Sequence, residues 1–364
     1  MAKNYYTIKI HISRDNVELN SFQNIPYANS GVGCGDTVTF KKQTIIIEAE
    51  RSKKMSPQEI LCNNQNSLYR QIIKCILFLY LKNECRILLK KIDILRRTQR
   101  TQDTPCSITV DKYNQPVKAD FVLRYSIPGT VLDMVWQEGI QAEYLRTIFS
   151  YWLLALASED RFYIFEQLWR SFERLAFYAN RASNFKSEYE AIRNMKNLIR
   201  NNTHLFPDAM NEAHRISGRS FRSFDWSGYV KNEFPTLAAS NKPKPYTEKY
   251  QKYFVLCNMD LRVIGMLKKT LLIRENELRH FGVYATVLRH ITTHLATRAK
   301  YDEQLLTMLC CKYAYYFRNK MFHGEVLSHS FTFTEKTIEN KNIDVLNTLL
   351  QSLTTDLILS FDRL

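Results

Sequence analysis

Tyr316-Phe317-Arg318-Asn319-Lys320-Met321-Phe322-His323-Gly324-Glu325 ends an otherwise apolar helical run with a polar cluster. A guanidinium can bind phosphate through a fork of donors, and an imidazole can move a proton near neutral pH. Cleavage of a phosphodiester needs both, so the segment points to chemistry on RNA. Spacing alone carries little weight in a basic chain. Arg289 and His294 repeat it, and Arg274 and His280 miss it by one residue. Arg318 and His323 differ from these in three ways: Asn directly follows Arg, an apolar residue directly precedes His, and Gly directly follows it.

The cluster needs a helix to carry it. Leu305, Leu309, Tyr313 and Tyr316 recur at helical spacing, so residues 301–323 read as a packed helix that Gly324 stops. His323 then falls in the last turn, where the negative end of the dipole favours an imidazolium able to donate a proton. Asn319, four residues earlier, can orient the ring. Arg318 is five residues away, about 140° round an ideal axis, so one copy grips a phosphate only from the side.

The surrounding chain reads as α+β, with a mixed α/β domain at about 1–130 and a mostly helical domain at 131–364. Thr-, Ile- and Val-rich alternation over residues 5–50 predicts strands, joined by a hairpin or β-bulge at Gly31, Gly33 and Gly35. Ser56-Pro57-Gln58-Glu59 predicts a capped helix start, with helical pattern running to about Arg97. Residues 106–128 return to strand pattern. Helices follow at 138–157, from a cap at Ser158 through Phe165, Leu168, Trp169, Phe172 and Leu175, at 186–201, over 254–299, and from Asn342 to the end. Residues 214–250, with Gly218, Gly228, Pro235, Pro243 and Pro245, read as irregular.

Composition narrows the function classes. Hydrophobic residues at 45% and aromatics at 13% mark a folded chain. A net charge of +15 favours an anionic partner. The charge is concentrated: residues 51–100 hold twelve Lys or Arg against three acids. Lys90, Arg96 and Arg97 on that basic stretch are candidate RNA contacts, as are Lys320 and the segment of Arg215, Arg219, Arg222 and Trp226. That last segment interleaves guanidinium groups with rings, as single-strand binders do; the alternative is a loop pinned by its aromatics. No leader segment or membrane span is expected, because the longest apolar runs are too short for a bilayer. Eight cysteines without a C-x-x-C pair suggest reduced, buried thiols in a cytoplasmic protein. His290 and His294 are four apart, yet no Glu lies between them and no further ligand is spaced to finish a zinc site.

Arg318-Asn319-Lys320-Met321-Phe322-His323 resembles the motif of the HEPN superfamily, in the branch of bacterial anti-phage, abortive-infection-type proteins: Arg, a polar residue, a few mostly apolar positions, then His. Phe165 to Leu175 resembles an earlier bundle helix of that family, with Glu173 placed to hold Arg318. The resemblance covers about 138–204 and 300–363, with 205–299 as an insertion. It implies a metal-independent endoribonuclease without cofactor, active as a homodimer or higher oligomer in which two motifs face each other. Arg318 would stabilise transition-state charge, His323 would act in acid/base catalysis, and Asn319 would orient. The implied partners are single-stranded or structured RNA, such as tRNA or mRNA, and a defence-system protein; residues 1–130 would sense or regulate. The alternative is a non-catalytic RNA-binding or scaffold module.

Overall fold

The structure, a computed structural model, describes residues 3–13, 21–27, 30–31, 34–82, 86–99, 101–111, 115–118, 121–181, 188–235, 243–325, 334 and 337–363. The chain is α+β and divides into two compact units. The first holds residues up to Glu159 together with Phe361–Arg363, and the second holds Asp160–Ser360. The division falls beyond the boundary near 130 that composition suggested.

In the first unit six strands form one antiparallel sheet: β1 (Asn4–Ser13), β2 (Ser21–Ile25), β3 (Asp36–Lys41), β4 (Thr44–Arg51), β5 (Leu88–Arg97) and β6 (Cys106–Thr109), in the order β2-β3-β4-β1-β5-β6. Alternation along β1 buries Tyr6, Ile8, Ile10 and Ile12 on one face. Strands β2 and β3, on either side of the glycine loop, pair antiparallel with an irregularity inside β2. Asn24 adopts φ 56°, the β2–β3 register shifts between Phe22 and Ile25, and a Cβ on Gly35 would collide with the Asn24 backbone. Gly33 lies outside the described residues. Helix α1 (Pro57–Cys62) begins with the predicted capping box: the Glu59 amide donates to Ser56 Oγ at 3.2 Å and the Ser56 amide to Glu59 Oε2 at 2.7 Å.

The helix expected to reach Arg97 stops at Lys82, the end of α2 (Ser67–Lys82), and Leu88–Arg97 is strand β5. Its Leu and Ile spacing fits either period over so short a run. Pairing with β1 on one side and β6 on the other satisfies its backbone, and that non-local ladder decides. Of the strand pattern over 106–128, only Cys106–Thr109 is strand among the described residues. Helices α3 (Gly129–Met134) and α4 (Ile140–Leu156) belong with the sheet, as does the final turn, where Thr130 Oγ1 donates to Asp362 Oδ2 at 2.8 Å. The described cysteines are free thiols. Cys75, Cys310 and Cys311 are buried, but Cys34 and Cys62 are exposed, contrary to expectation. No helix among the described residues is long and apolar enough to cross a membrane.

The second unit is helical. Asp160, rather than Ser158, caps α5 (Arg161–Ala179), accepting from the Tyr163 amide at 2.8 Å. The predicted stripe Phe165, Leu168, Trp169, Phe172 and Leu175 is fully buried. Helix α6 (Glu188–Asn201) follows, and the segment read as irregular is mostly short helices: α7 (Pro207–Arg215), α8 (Gly218–Arg222), α9 (Trp226–Glu233) and α10 (Pro243–Lys249). Gly218, Gly228 and Pro243 are start or contact residues, whereas Pro235 follows the end of α9. Gly218 opens α8 behind the Ser217 cap, Pro207 and Pro243 open α7 and α10, and Gly228 leaves room for Asp225 and the Tyr316 hydroxyl. Then come α11 (Leu261–Thr270), α12 (Glu275–His280), α13 (Tyr284–Thr297), α14 (Asp302–Thr307), α15 (Ala314–Phe322) and α16 (Ile338–Leu359), which packs on α5 and α7. Two π turns, Tyr250–Val255 and Met308–Tyr313, interrupt the regular helices.

Asp356 on α16 is buried and accepts from the Ala209 amide at 2.9 Å, capping α7 from another helix. Burial pushes its carboxyl up to about 6. A carboxyl raised above its unfolded value holds its proton better in the folded chain. Its contribution is therefore full below about pH 4 and is lost as pH rises through about 6. Asp356→Asn keeps an acceptor oxygen and removes the charge. Urea unfolding from pH 4 to 7 should show the variant more stable at pH 7 by up to about 2 kcal/mol, with a flatter pH profile. Parallel profiles would disprove this account.

Candidate functional site

Asp302 to Phe322 runs as one helical rod of α14, the π turn and α15. A buried ion network fixes its start. Arg262 on α11 donates to Asp260 Oδ2 at 2.8 Å and Asp302 Oδ1 at 2.7 Å, and also to the carbonyls of Ala213 and Ile216. Asp260 caps α11, and its Oδ2 also accepts from the Tyr301 amide at 2.7 Å. One guanidinium thus ties the ends of α7 and α11 to the first turn of α14. Along the rod, Leu305, Leu309, Tyr313 and Tyr316 are buried as their spacing predicted.

The far end closes as a Schellman motif. The Glu325 amide donates to the Lys320 carbonyl at 2.9 Å and the Gly324 amide to the Met321 carbonyl at 3.2 Å, with Gly324 at φ 68°. His323 is the C-cap, and it is exposed. Asn319 joins the two chemical residues. Its Oδ1 accepts from Arg318 Nη1 at 3.1 Å, and its carbonyl accepts from the His323 amide at 3.0 Å. The Arg318 guanidinium lies 4.4 Å from the centroid of the Phe322 ring, and its Nε is buried without a hydrogen-bond partner. A buried orphan donor costs about 1–3 kcal/mol, so it persists only where something else holds it.

The described partners of Arg318 are Asn319 and Phe322; Glu173 lies on α5, whose Phe165 ring meets Phe317 edge-on and whose Trp169 ring lies tilted against Tyr315. Lys320 sits 3.6 Å from Asp225 Oδ2 and over the Tyr316 ring. It shares a cavity of about 590 Å³ with Arg222 and Lys269 and with the carboxylates of Asp225, Glu325 and Glu339.

Other candidates separate. Trp226 is buried, its Nε1 donating to the Phe221 carbonyl at 2.7 Å, so it cannot stack on a base. Phe221, Phe224 and Tyr229 are buried with it. The aromatics of this segment pin it, and Arg215, Arg219 and Arg222 are left in solvent, with Arg215 on Glu212. The reason is spacing: on short helices the rings fall on the inner side. In the first unit Arg96 is buried on Asp103 and Asn4, which removes it as an RNA contact. Lys90 and Arg97 are exposed on β5. His290 and His294 stack 4.4 Å apart, and His290 Nε2 donates to the Asn258 carbonyl at 2.7 Å.

No protein-family description, curated protein or solved structure matches the chain.

Residues that sequence reasoning missed lie on the opposite face of the same rod. Lys312, between the buried Cys311 and Tyr313, lines a second cavity. A lone lysine inside Leu309-Cys310-Cys311-Lys312-Tyr313 was the available signal.

Two outcomes check this construction. Arg262→Met leaves two carboxylates without their cation and should cost about 3–5 kcal/mol in chemical unfolding. Gly324→Ala meets open space but keeps a positive φ, so it should cost about 1 kcal/mol through backbone strain alone. An unchanged midpoint in either variant contradicts the assigned role.

Proposed function

We propose that this chain is a metal-independent endoribonuclease of the HEPN type, working with a composite Arg318/His323 site at a homodimer interface. The observation that carries the reading is that Arg318, held through Nη1 by the Asn319 side chain, and His323, the exposed C-cap, lie at one helix end. Arg318 Nε is buried without a hydrogen-bond partner. Arg318 on the shaft and His323 at the tip do not converge within one copy. A two-fold pairing of rod ends lets the Arg of one chain meet the His of the other, and exposed Phe322 beside them supplies apolar contact.

In this mechanism the RNA 2′-hydroxyl attacks the adjacent phosphorus in line. The bond to the 5′-oxygen breaks, leaving a 2′,3′-cyclic phosphate and a 5′-hydroxyl. Arg318 stabilises charge on the phosphoryl oxygens. His323 takes the 2′-hydroxyl proton or returns one to the leaving oxygen. Asn319 positions Arg318. Lys320 and Arg222, lining one cavity beside α15, carry backbone phosphates of the strand. A role in anti-phage defence or as a toxin fits the same reading.

A second reading, a non-catalytic RNA-binding or scaffold protein, rests on the guanidinium lying against Phe322 as a packing element. Cleavage of total RNA in excess EDTA decides between them. The wild type should yield cyclic-phosphate ends, and Arg318→Ala and His323→Ala should each lose about 10²–10⁴-fold in rate. Mixing the two inactive variants should restore activity, because one site of each mixed dimer is intact. RNA binding without cleavage, or full cleavage by both variants, overturns the composite site.

A further inference from the structure

The second unit holds a cavity of about 510 Å³ within the size range of small-ligand sites, and it is separate from Arg318, Asn319 and His323. The two π turns build it. Tyr253 comes from Tyr250–Val255, and Cys311 and Lys312 come from Met308–Tyr313. A π turn displaces a carbonyl from the helical ladder, and such turns gather at functional sites. Here Lys312 Nζ donates to the Tyr253 carbonyl at 2.8 Å, joining the two irregular turns across the cavity wall.

The lining is electrically unbalanced. Arg193, Lys196, Lys249 and Lys312 face it, against one carboxyl, Glu233. None of the four cations forms an ion pair among the described residues. Arg193 lies 5.1 Å from the Tyr253 ring centroid and Lys249 5.6 Å from that of Tyr246. Burial pulls the Lys312 ammonium down to about 8 and lowers Lys196, and it pushes Glu233 up toward its neutral form. Like charges gathered in a half-closed space raise the free energy of the empty site, and an anion relieves it. Four cations exceed what a carboxylate needs and suit a doubly charged phosphate. Besides Cys311, the rest of the wall is aromatic, with Tyr246, Tyr253 and Tyr315 among the lining residues.

We propose that this cavity binds a small phosphorylated molecule bearing a planar ring, its phosphate held by Arg193, Lys196 and Lys312 and its ring laid against the tyrosines. Concavity, as opposed to an open groove, selects a free small molecule over a strand. Tyr315 stands one helical turn before Arg318 on the same rod, so occupancy is positioned to bias the motif.

Isothermal titration of the full chain, without RNA, tests the site independently of any nuclease activity. Adenosine 5′-monophosphate, adenosine, inorganic phosphate and pyridoxal 5′-phosphate are the probes. The two ring-bearing phosphates should bind, and adenosine and inorganic phosphate should bind at least about tenfold more weakly. Pyridoxal phosphate should also label a cavity lysine: the amine adds to the aldehyde, water leaves, and borohydride supplies the hydride that fixes the imine. Peptide mapping should find the label on Lys312 or Lys196, with protection by adenosine monophosphate. Lys312→Met and the surface variant Arg193→Ala should each weaken that nucleotide about tenfold, while Lys42→Ala, at an exposed lysine of the first unit, leaves it unchanged. Failure of both phosphates to bind, or wild-type affinity in Lys312→Met and Arg193→Ala, overturns the site. Inorganic phosphate binding as tightly as the nucleotide overturns the ring assignment.

Discussion

Arg262 is the interaction on which the second unit depends. Its guanidinium is almost completely buried, and it spends its donors on two carboxylates and two carbonyls from three segments. A buried cation of this kind is stable only with every partner in place, so it acts as a register pin more than as a source of net stability. What it pins is the first turn of the rod that ends at His323. Asp302 also accepts His214 at 2.9 Å, so the same carboxylate draws α7 to that turn. The placement of Arg318 and His323 therefore follows from a contact at the other end of the helix.

Between these ends, one turn of the rod is wound wide. The π turn at Met308–Tyr313 carries an extra residue, which shifts downstream side chains round the axis relative to those upstream. Lys312 can then reach the Tyr253 carbonyl while Tyr313 and Tyr316 stay in the aromatic cluster with Phe224, Trp226 and Tyr229. One helix presents a buried side, a cationic cavity and an exposed tip at His323.

The net charge of +15 is not a coat of free cations. Arg51 is sealed against Asp36, Arg96 is held by Asp103, Lys74 is buried on Glu138 and two carbonyls, and Arg274 is buried on the carbonyls of Phe234 and Pro235. These groups satisfy backbone acceptors and carboxylates that burial would otherwise leave unpaired. Basicity along the sequence thus overstates the surface open to phosphate. Cations left to meet an anion include the exposed Lys90, Arg97, Arg219 and Arg222 and those lining the cavity of Lys196 and Lys312.

By itself the sequence determined the features that depend on neighbours a few residues apart. The capping box at Ser56, the buried stripe from Phe165 to Leu175, the helix through Leu305 and Tyr316, and its stop at Gly324 were all legible, because caps, helical faces and positive φ are local. Only the tertiary structure made Leu88–Arg97 a strand, since its periodicity is ambiguous and its partners in β1 lie far away in the chain. It alone buried Arg96 and Trp226, turned the Gly- and Pro-rich segment into short docked helices, and gathered Arg193, Lys249 and Lys312 round one cavity. Such outcomes are set by which distant surfaces meet and by where each charge finds a partner, and no short window of residues contains that information.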